Sequence, residues 1–211
     1  MAWTYEQNFD SLNDGSLVGQ DGWSKLAGTD TTDVDSSYAL LSTTKGLGVP
    51  VASSINFSLT RTVSAGTSGT LYFATKCTNV NSTGQNLLAI DDGSYYGVFI
   101  NWVRVDSTTY KIQSYTNAGY VDTITNLAVG TVYIMAIEYD TVDDQYRMKY
   151  KTVGGTFSSW SSFVSFNSPR GSFTRFSLIH DWTWGVVYDE FSASDPDTPV
   201  ATTFIPQISI F

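Results

Sequence analysis

Residues 131–151 read TVYIMAIEYDTVDDQYRMKYK, and the fold is decided there. Two runs rich in aromatic and β-branched residues flank the polar tetrapeptide Thr141–Asp144, the pattern of a β-hairpin. Closing the turn at Thr141–Asp144 sets Tyr139 opposite Tyr146, Ile137 opposite Met148 and Met135 opposite Tyr150, one continuous apolar face. The other face sets Glu138 against Arg147 and Asp140 against Gln145. Opposite charges facing across a ladder add ~0.2–1 kcal/mol. A slip of one residue would turn Arg147 and Lys149 into the apolar side, so the register is strongly specified.

The same texture extends outward along the chain. GTLYFATKCT (69–78), YYGVFINWVRV (95–105), TYKIQSY (109–115) and VVYDEFSA (186–193) all read as strands. SAGTSG, NVNSTGQN, DDGS, TNAG, VGG and NSPRG supply turns between them. No segment carries a capped helical period. The expected fold is all-β, a sandwich or jelly roll.

Composition breaks at ASDPDTPVATT (193–203), where Pro196 and Pro199 stiffen the chain. This divides the chain into a domain over 1–194, a linker over 195–202, and a final or docking strand over 203–211. The last stretch carries Phe204, Ile205, Ile208, Ile210 and Phe211, and Pro206 restricts it to an edge. It either folds back on its own sandwich or docks on a neighbouring subunit, which makes those five residues candidate interface residues.

The 211 residues suit one large β-domain, with 42% hydrophobic and only 15% charged residues. Net charge is −9 and no basic stripe exists, which argues against nucleic acid and anionic membranes as partners. No run of ~18 apolar residues is present for a membrane span. MAWTYEQNFD has no signal-peptide pattern. The single cysteine, Cys77, precludes a disulfide within the chain and reads as a small buried residue. One His and one Cys also exclude the usual zinc sites.

Three stretches, in order, resemble the concanavalin A-like, laminin-G-like superfamily, in its phage and bacterial surface-protein branch. NFDSLNDGSLVGQDGW (8–23) looks like an F-D-x-L strand leading to a G-Q-x-x-W turn. LAVGTVYIMAIEYDTVDDQYRMKY (127–150) is similar to a G-T-x-Y entry into a long hairpin, and VVYDEFSAS (186–194) to a Y-x-D-E closing strand. The resemblance implies a two-sheet jelly roll, to which the sequence adds the C-terminal extended tail. It also implies a function among glycan-binding modules, adhesion domains and polysaccharide-degrading enzymes, often with a structural Ca²⁺.

Catalysis is not expected. Glycoside cleavage needs two carboxylates at a set separation. The three glutamates, Glu6, Glu138 and Glu190, fall on different segments, and Asp189 and Glu190 point to opposite sides of one strand. His180 is the only histidine and reads as structural, and no G-x-S-x-G elbow occurs. For metal, Asp189 and Asp10 are the candidates. Asp189 falls on the side of Val187 and Phe191, taken as inner, and needs an arginine, backbone N–H groups or a cation as partner. For glycan, the loop aromatics Tyr95, Tyr96, Trp160, Trp182 and Trp184 are the candidates, with Trp182 and Trp184 of like parity. Core packing competes for each of them.

The expected role is a non-catalytic surface subunit of a larger assembly, such as a phage virion decoration or tail-associated protein with a glycan-binding role. Its partners would be other protein subunits and a glycan, at the virion surface or outside cells. The alternative is a free bacterial carbohydrate-binding or adhesion module, with a polysaccharide-degrading enzyme third.

Overall fold

The computed structural model describes residues 3–41, 43–49, 56–80, 85–94, 96–168, 172–181 and 184–197. In chain order the strands are β1 (Trp23–Gly28), β2 (Asp33–Asp35), β3 (Gly46–Val49), β4 (Asn56–Gly66), β5 (Ser68–Val80), β6 (Gln85–Asp91) and β7 (Tyr96–Arg104). They continue as β8 (Thr109–Thr116), β9 (Gly119–Ala128), β10 (Val132–Asp140), β11 (Gln145–Thr152), β12 (Val164–Ser165), β13 (Phe173–Asp181) and β14 (Trp184–Ser192). One 3₁₀ turn, Ser36–Tyr38, lies between β2 and β3.

The strands form two seven-stranded antiparallel sheets. The first has the order β1-β4-β13-β6-β7-β8-β9 and the second β12-β11-β10-β5-β14-β3-β2. The deciding hairpin is β10–β11, with Tyr139 opposite Tyr146, Ile137 opposite Met148 and Glu138 opposite Arg147, as its sequence dictates. Its apolar face points into the sandwich: Met135, Ile137, Tyr139, Tyr146 and Met148 all join the main core.

The core lies between the sheets and is dense in aromatic rings. Phe176 of β13 is its hub, with ring centroids 4.9 Å from Phe191, 5.6 Å from Trp23 and 5.7 Å from Trp3. Cys77 is buried there, and burial pushes its thiol up to about 12. His180 is also buried, stacked on Phe57 at 5.3 Å. No helix among the described residues is long and apolar enough to cross a membrane.

Residues 3–22 do not form the strand expected of F-D-x-L. They run as irregular chain that drives Trp3, Tyr5, Phe9, Leu12 and Leu17 into the core. The side chain of Gln20 clamps this segment: its Oε1 accepts from the Asn13 N–H (2.7 Å), and its Nε2 donates to the carbonyls of Asn13 (3.0 Å) and Ser16 (2.7 Å). That explains the glutamine of the G-Q-x-x-W turn, since an irregular buried segment must find side-chain partners for its backbone.

The chain leaves β14 and lays Asp195 and Asp197 against the buried Lys151, at 2.7 and 3.1 Å. The first residues of the expected linker are therefore tied to the sandwich. Phe204, Ile205, Ile208, Ile210 and Phe211 lie outside the described residues.

Candidate functional site

The candidate glycan residues fall at three separate places. Tyr96 opens β7 opposite Asp91, at one end of β6, while Trp184 pairs with Val80 near the other end. β6 has seven residues, about 20 Å at ~3.3 Å each, so these two cannot share a sugar. Tyr95 and Trp182 lie outside the described residues. Trp160 sits against β11 of the second sheet, half-buried between Lys149 (4.4 Å) and Arg147 (4.8 Å).

Both metal candidates hold backbone. Asp189 is fully buried, and its carboxylate accepts from the N–H groups of Leu40 (2.9 Å), Leu41 (3.4 Å) and Glu190 (2.9 Å) and from Thr43 Oγ1 (2.6 Å). Burial raises its pKa and these donors oppose the rise. Of the partners open to it in the sequence, Asp189 has backbone N–H groups. Its side also differs from the expected one. Val186 and Tyr188 point into the main core, and Asp189 shares the opposite face with Val187. A bulge with Glu190 at φ +53° then shifts the alternation and brings Phe191 inward.

Asp10 Oδ1 accepts from the Thr44 N–H (2.7 Å), Thr44 Oγ1 (2.9 Å) and the Lys45 N–H (3.0 Å). The two aspartates thus pin Leu40, Leu41, Thr43, Thr44 and Lys45. Donors already occupy their oxygens, which does not fit a calcium ion needing six to eight of them. Among the described residues no group of three or more His, Cys, Asp or Glu is placed to hold a metal.

A different region gathers the chemistry. On β7, Val98, Ile100 and Trp102 face the core, so Phe99 and Asn101 face outward from the first sheet. Phe99 therefore lies outside the main core. It belongs to a second apolar cluster with Ala89, against which Tyr115 and Ile179 pack. From Phe99 the rings continue outward: Tyr115 stands 5.5 Å away, and Tyr120, 45% exposed, a further 4.8 Å on.

Beside this row runs a polar one. Asn101 pairs with Gln113 across the ladder, and Gln113 with Asp122. Gln113 Nε2 and Lys111 Nζ donate to Asp122 at 2.7 and 2.9 Å. Asn101 is 1% exposed, yet its Oδ1 has no hydrogen-bond partner. A buried acceptor left unmet costs about 1–3 kcal/mol, so its retention calls for an explanation.

At the head of the face, the buried Asp91 accepts from Arg175 Nε (2.6 Å), Ser177 Oγ (3.0 Å) and the Gly93 N–H (2.8 Å). Burial raises its pKa, against the pull of Gly93, Arg175 and Ser177. Asp91 is paired with Arg175 and Asp122 with Lys111, so these charges cancel on a chain of net −9. Asp91 and Asp122 lie three strand spacings apart and about five residues apart along the strands, roughly 20 Å at ~4.8 Å per spacing and ~3.3 Å per residue, beyond the ~5–9.5 Å of glycosidase carboxylate pairs. Elsewhere, Glu6 and Glu190 line one groove of about 430 Å³ together with Asp21 and Asn8, a proximity their places in the sequence hid.

The two sheets and their connections define a concanavalin A-like jelly-roll sandwich. No family model matches the chain, and no curated protein matches it. Solved structures do. A sialidase superposes with a TM-score of 0.63 at 11% identity, over 92% of this chain and 19% of that one, so the match spans about a fifth of the sialidase. The catalytic domain of the glycoside hydrolase family 131 protein from Coprinopsis cinerea gives 0.60 at 15% identity, over 94% of this chain and all of that one. Lectin I-B4 from Griffonia simplicifolia, in its metal-free form, gives 0.54 at 10% identity over 89% and 98%. At such identities the likeness is one of fold.

Sequence reasoning missed this face because no motif marks it. Its residues are spread over β6 to β9 and β13 and meet only through register. The one available signal was the alternation in YYGVFINWVRV, which sets Phe99 and Asn101 on the side opposite Trp102.

Proposed function

We propose that this protein is a non-catalytic carbohydrate-binding module whose glycan face is the outer side of the first sheet. The observation that carries this reading is the unmet Oδ1 of Asn101 beside a row of aromatic rings. Sugars present apolar C–H faces to rings and hydroxyls to amides and carboxylates; Tyr115, Tyr120, Gln113 and Asp122 reach the surface to offer both, with Phe99 and Asn101 buried beside them. The cancelled charges favour a neutral glycan. Fold neighbours named as a lectin and a glycoside hydrolase support carbohydrate as the ligand class. The separation of Asp91 from Asp122 supports binding without cleavage on this face.

The finer reading is a surface subunit of a larger assembly, such as a phage virion, docked through Phe204–Phe211. Its support is the apolar sequence of that segment. A free bacterial adhesion module is the alternative. Light scattering on the full chain and on one ending at Asp197 separates them: self-assembly lost on truncation supports docking, and equal monomers favour the free module.

The binding reading is tested on an immobilised panel of neutral and acidic glycans, with wild type, Asn101→Ala and Tyr120→Ala. Retention of wild type on a neutral glycan, lost in both variants, is expected. Retention that both variants keep removes this face from the function.

A further inference from the structure

The second sheet carries a feature that the glycan face does not use. Residues 157–163 read FSSWSSF and run beside β11. Ser158 N–H donates to the Tyr150 carbonyl (2.8 Å), and Tyr150 N–H donates back to Ser158 Oγ (3.2 Å). Three residues on, Ser161 N–H donates to the Met148 carbonyl (2.7 Å), and Met148 N–H to Ser161 Oγ (3.0 Å). A three-residue step in the strap thus matches a two-residue step in the strand, with serine hydroxyls standing in for backbone carbonyls.

The same repeat sets a ring at every third residue. β11 sets a cation at every second, and the two interleave. Phe157 lies 5.0 Å from Lys151 and 4.5 Å from Lys149; Trp160 lies 4.4 Å from Lys149; Phe163 lies 4.5 Å from Arg147. Cation–ring contacts of this kind hold each ring in place.

The row ends at Phe163, 47% exposed, on the rim of a groove of about 540 Å³. Ser68, Thr70, Glu138, Gln145 and Arg147 line it beside Phe163. Arg147 is ion-paired to Glu138 and at the same time braces Phe163. The groove therefore offers a fixed ring, a carboxylate that accepts, a guanidinium that donates and an amide that does both. Its volume lies within the ~300–1,000 Å³ of small-ligand sites. Arg147 cancels Glu138, while Asp140 and Asp143 on the same lining leave the groove negative, which disfavours acidic sugars.

We propose that this groove is a second saccharide site, taking a neutral sugar ring against Phe163 with hydroxyls shared among Glu138, Arg147 and Gln145. It lies on the opposite sheet from Asn101, so one chain would hold two glycan segments and gain avidity on polymeric ligands. The two sites stand or fall separately.

The test is an NMR titration with cellohexaose, mannohexaose, lactose and sialyllactose, following the side-chain amides of Gln145 and Asn101 and the ring of Phe163. A neutral sugar is expected to move Gln145 and Phe163. Phe163→Ala is expected to weaken that titration about tenfold, the equivalent of ~1.4 kcal/mol, and to leave the Asn101 response intact. Gln145→Ala, which keeps the rings of the strap, is expected to weaken it as well and guards against a misfolded Phe163 variant. Gln145 and Phe163 signals that no sugar moves would overturn the proposal, even with Asn101 responding. Sialyllactose binding there more tightly than lactose, or unchanged affinity in both variants, would overturn it too.

Discussion

The outer faces of the two sheets are built from the same kinds of residue and finished differently. On the second sheet the buried Asp189 is met by three N–H groups and a hydroxyl, and Lys151 by two carboxylates. These polar groups serve the fold, holding Leu40, Leu41, Thr43, Asp195 and Asp197 against the sandwich. On the first sheet Asp91 is equally satisfied, but Asn101, on the neighbouring strand and five residues along from Tyr96, the partner of Asp91, keeps an unmet acceptor beside the ring row that ends at the exposed Tyr120. Among the described residues Thr31 Oγ1, Trp102 Nε1 and Tyr110 OH are also buried without a partner, so an unmet group alone does not mark a site. What sets Asn101 apart is its place on the outer face beside the ring row, and the proposed function rests on that placement.

The largest expected effect erases the comparison. Phe176→Ala removes the ring on which Trp3, Trp23 and Phe191 converge, and should cost about 3–5 kcal/mol by chemical denaturation, weakening both faces together. Asp189→Ala should cost less, ~1–3 kcal/mol, by orphaning the N–H groups of Leu40 and Leu41, with glycan binding unchanged. A loss of binding in that variant would tie the second sheet to the site. Asn101→Ala should sharpen the contrast in the opposite sense, leaving stability unchanged or raising it by up to ~1–3 kcal/mol, since it removes a buried acceptor that no donor meets, while abolishing binding at the first sheet.

A smaller effect is one of pH. Burial pushes the Asp21 carboxyl up, but hydrogen bonds from Arg61, Gln7 and Tyr5 outweigh it and the net shift is downward. A lowered carboxylate stabilises the fold above its unfolded value of about 3.9, and that contribution is lost as pH falls through the folded value. Asp21→Asn should therefore flatten the loss of stability on acidification below about pH 4, measured by urea denaturation at several pH values.

The strands and their pairing were legible because alternation and turn chemistry are local. The β10–β11 register follows from Thr141–Asp144 and the opposed Glu138 and Arg147. What could not be read depends on meetings between distant segments. Asp189 finds its donors at Leu40, Leu41 and Thr43, 146 to 149 residues away, so a metal was as reasonable a partner as the loop. The bulge at Glu190 breaks the alternation that placed Asp189 on an inner face. Trp160 reads as a loop aromatic only until the FSSWSSF repeat is laid against β11, where its three-residue step answers the strand's two. Asn101 gave no signal as a single residue, and became one only when its register neighbours were known not to satisfy it.

The most direct test is a paired measurement on Asn101→Ala: the thermal midpoint, and affinity for whichever neutral glycan the wild type retains. A site held open for a ligand gives an unchanged or higher midpoint with binding lost. A lowered midpoint with binding retained would show that Asn101 serves the fold and that the glycan face lies elsewhere.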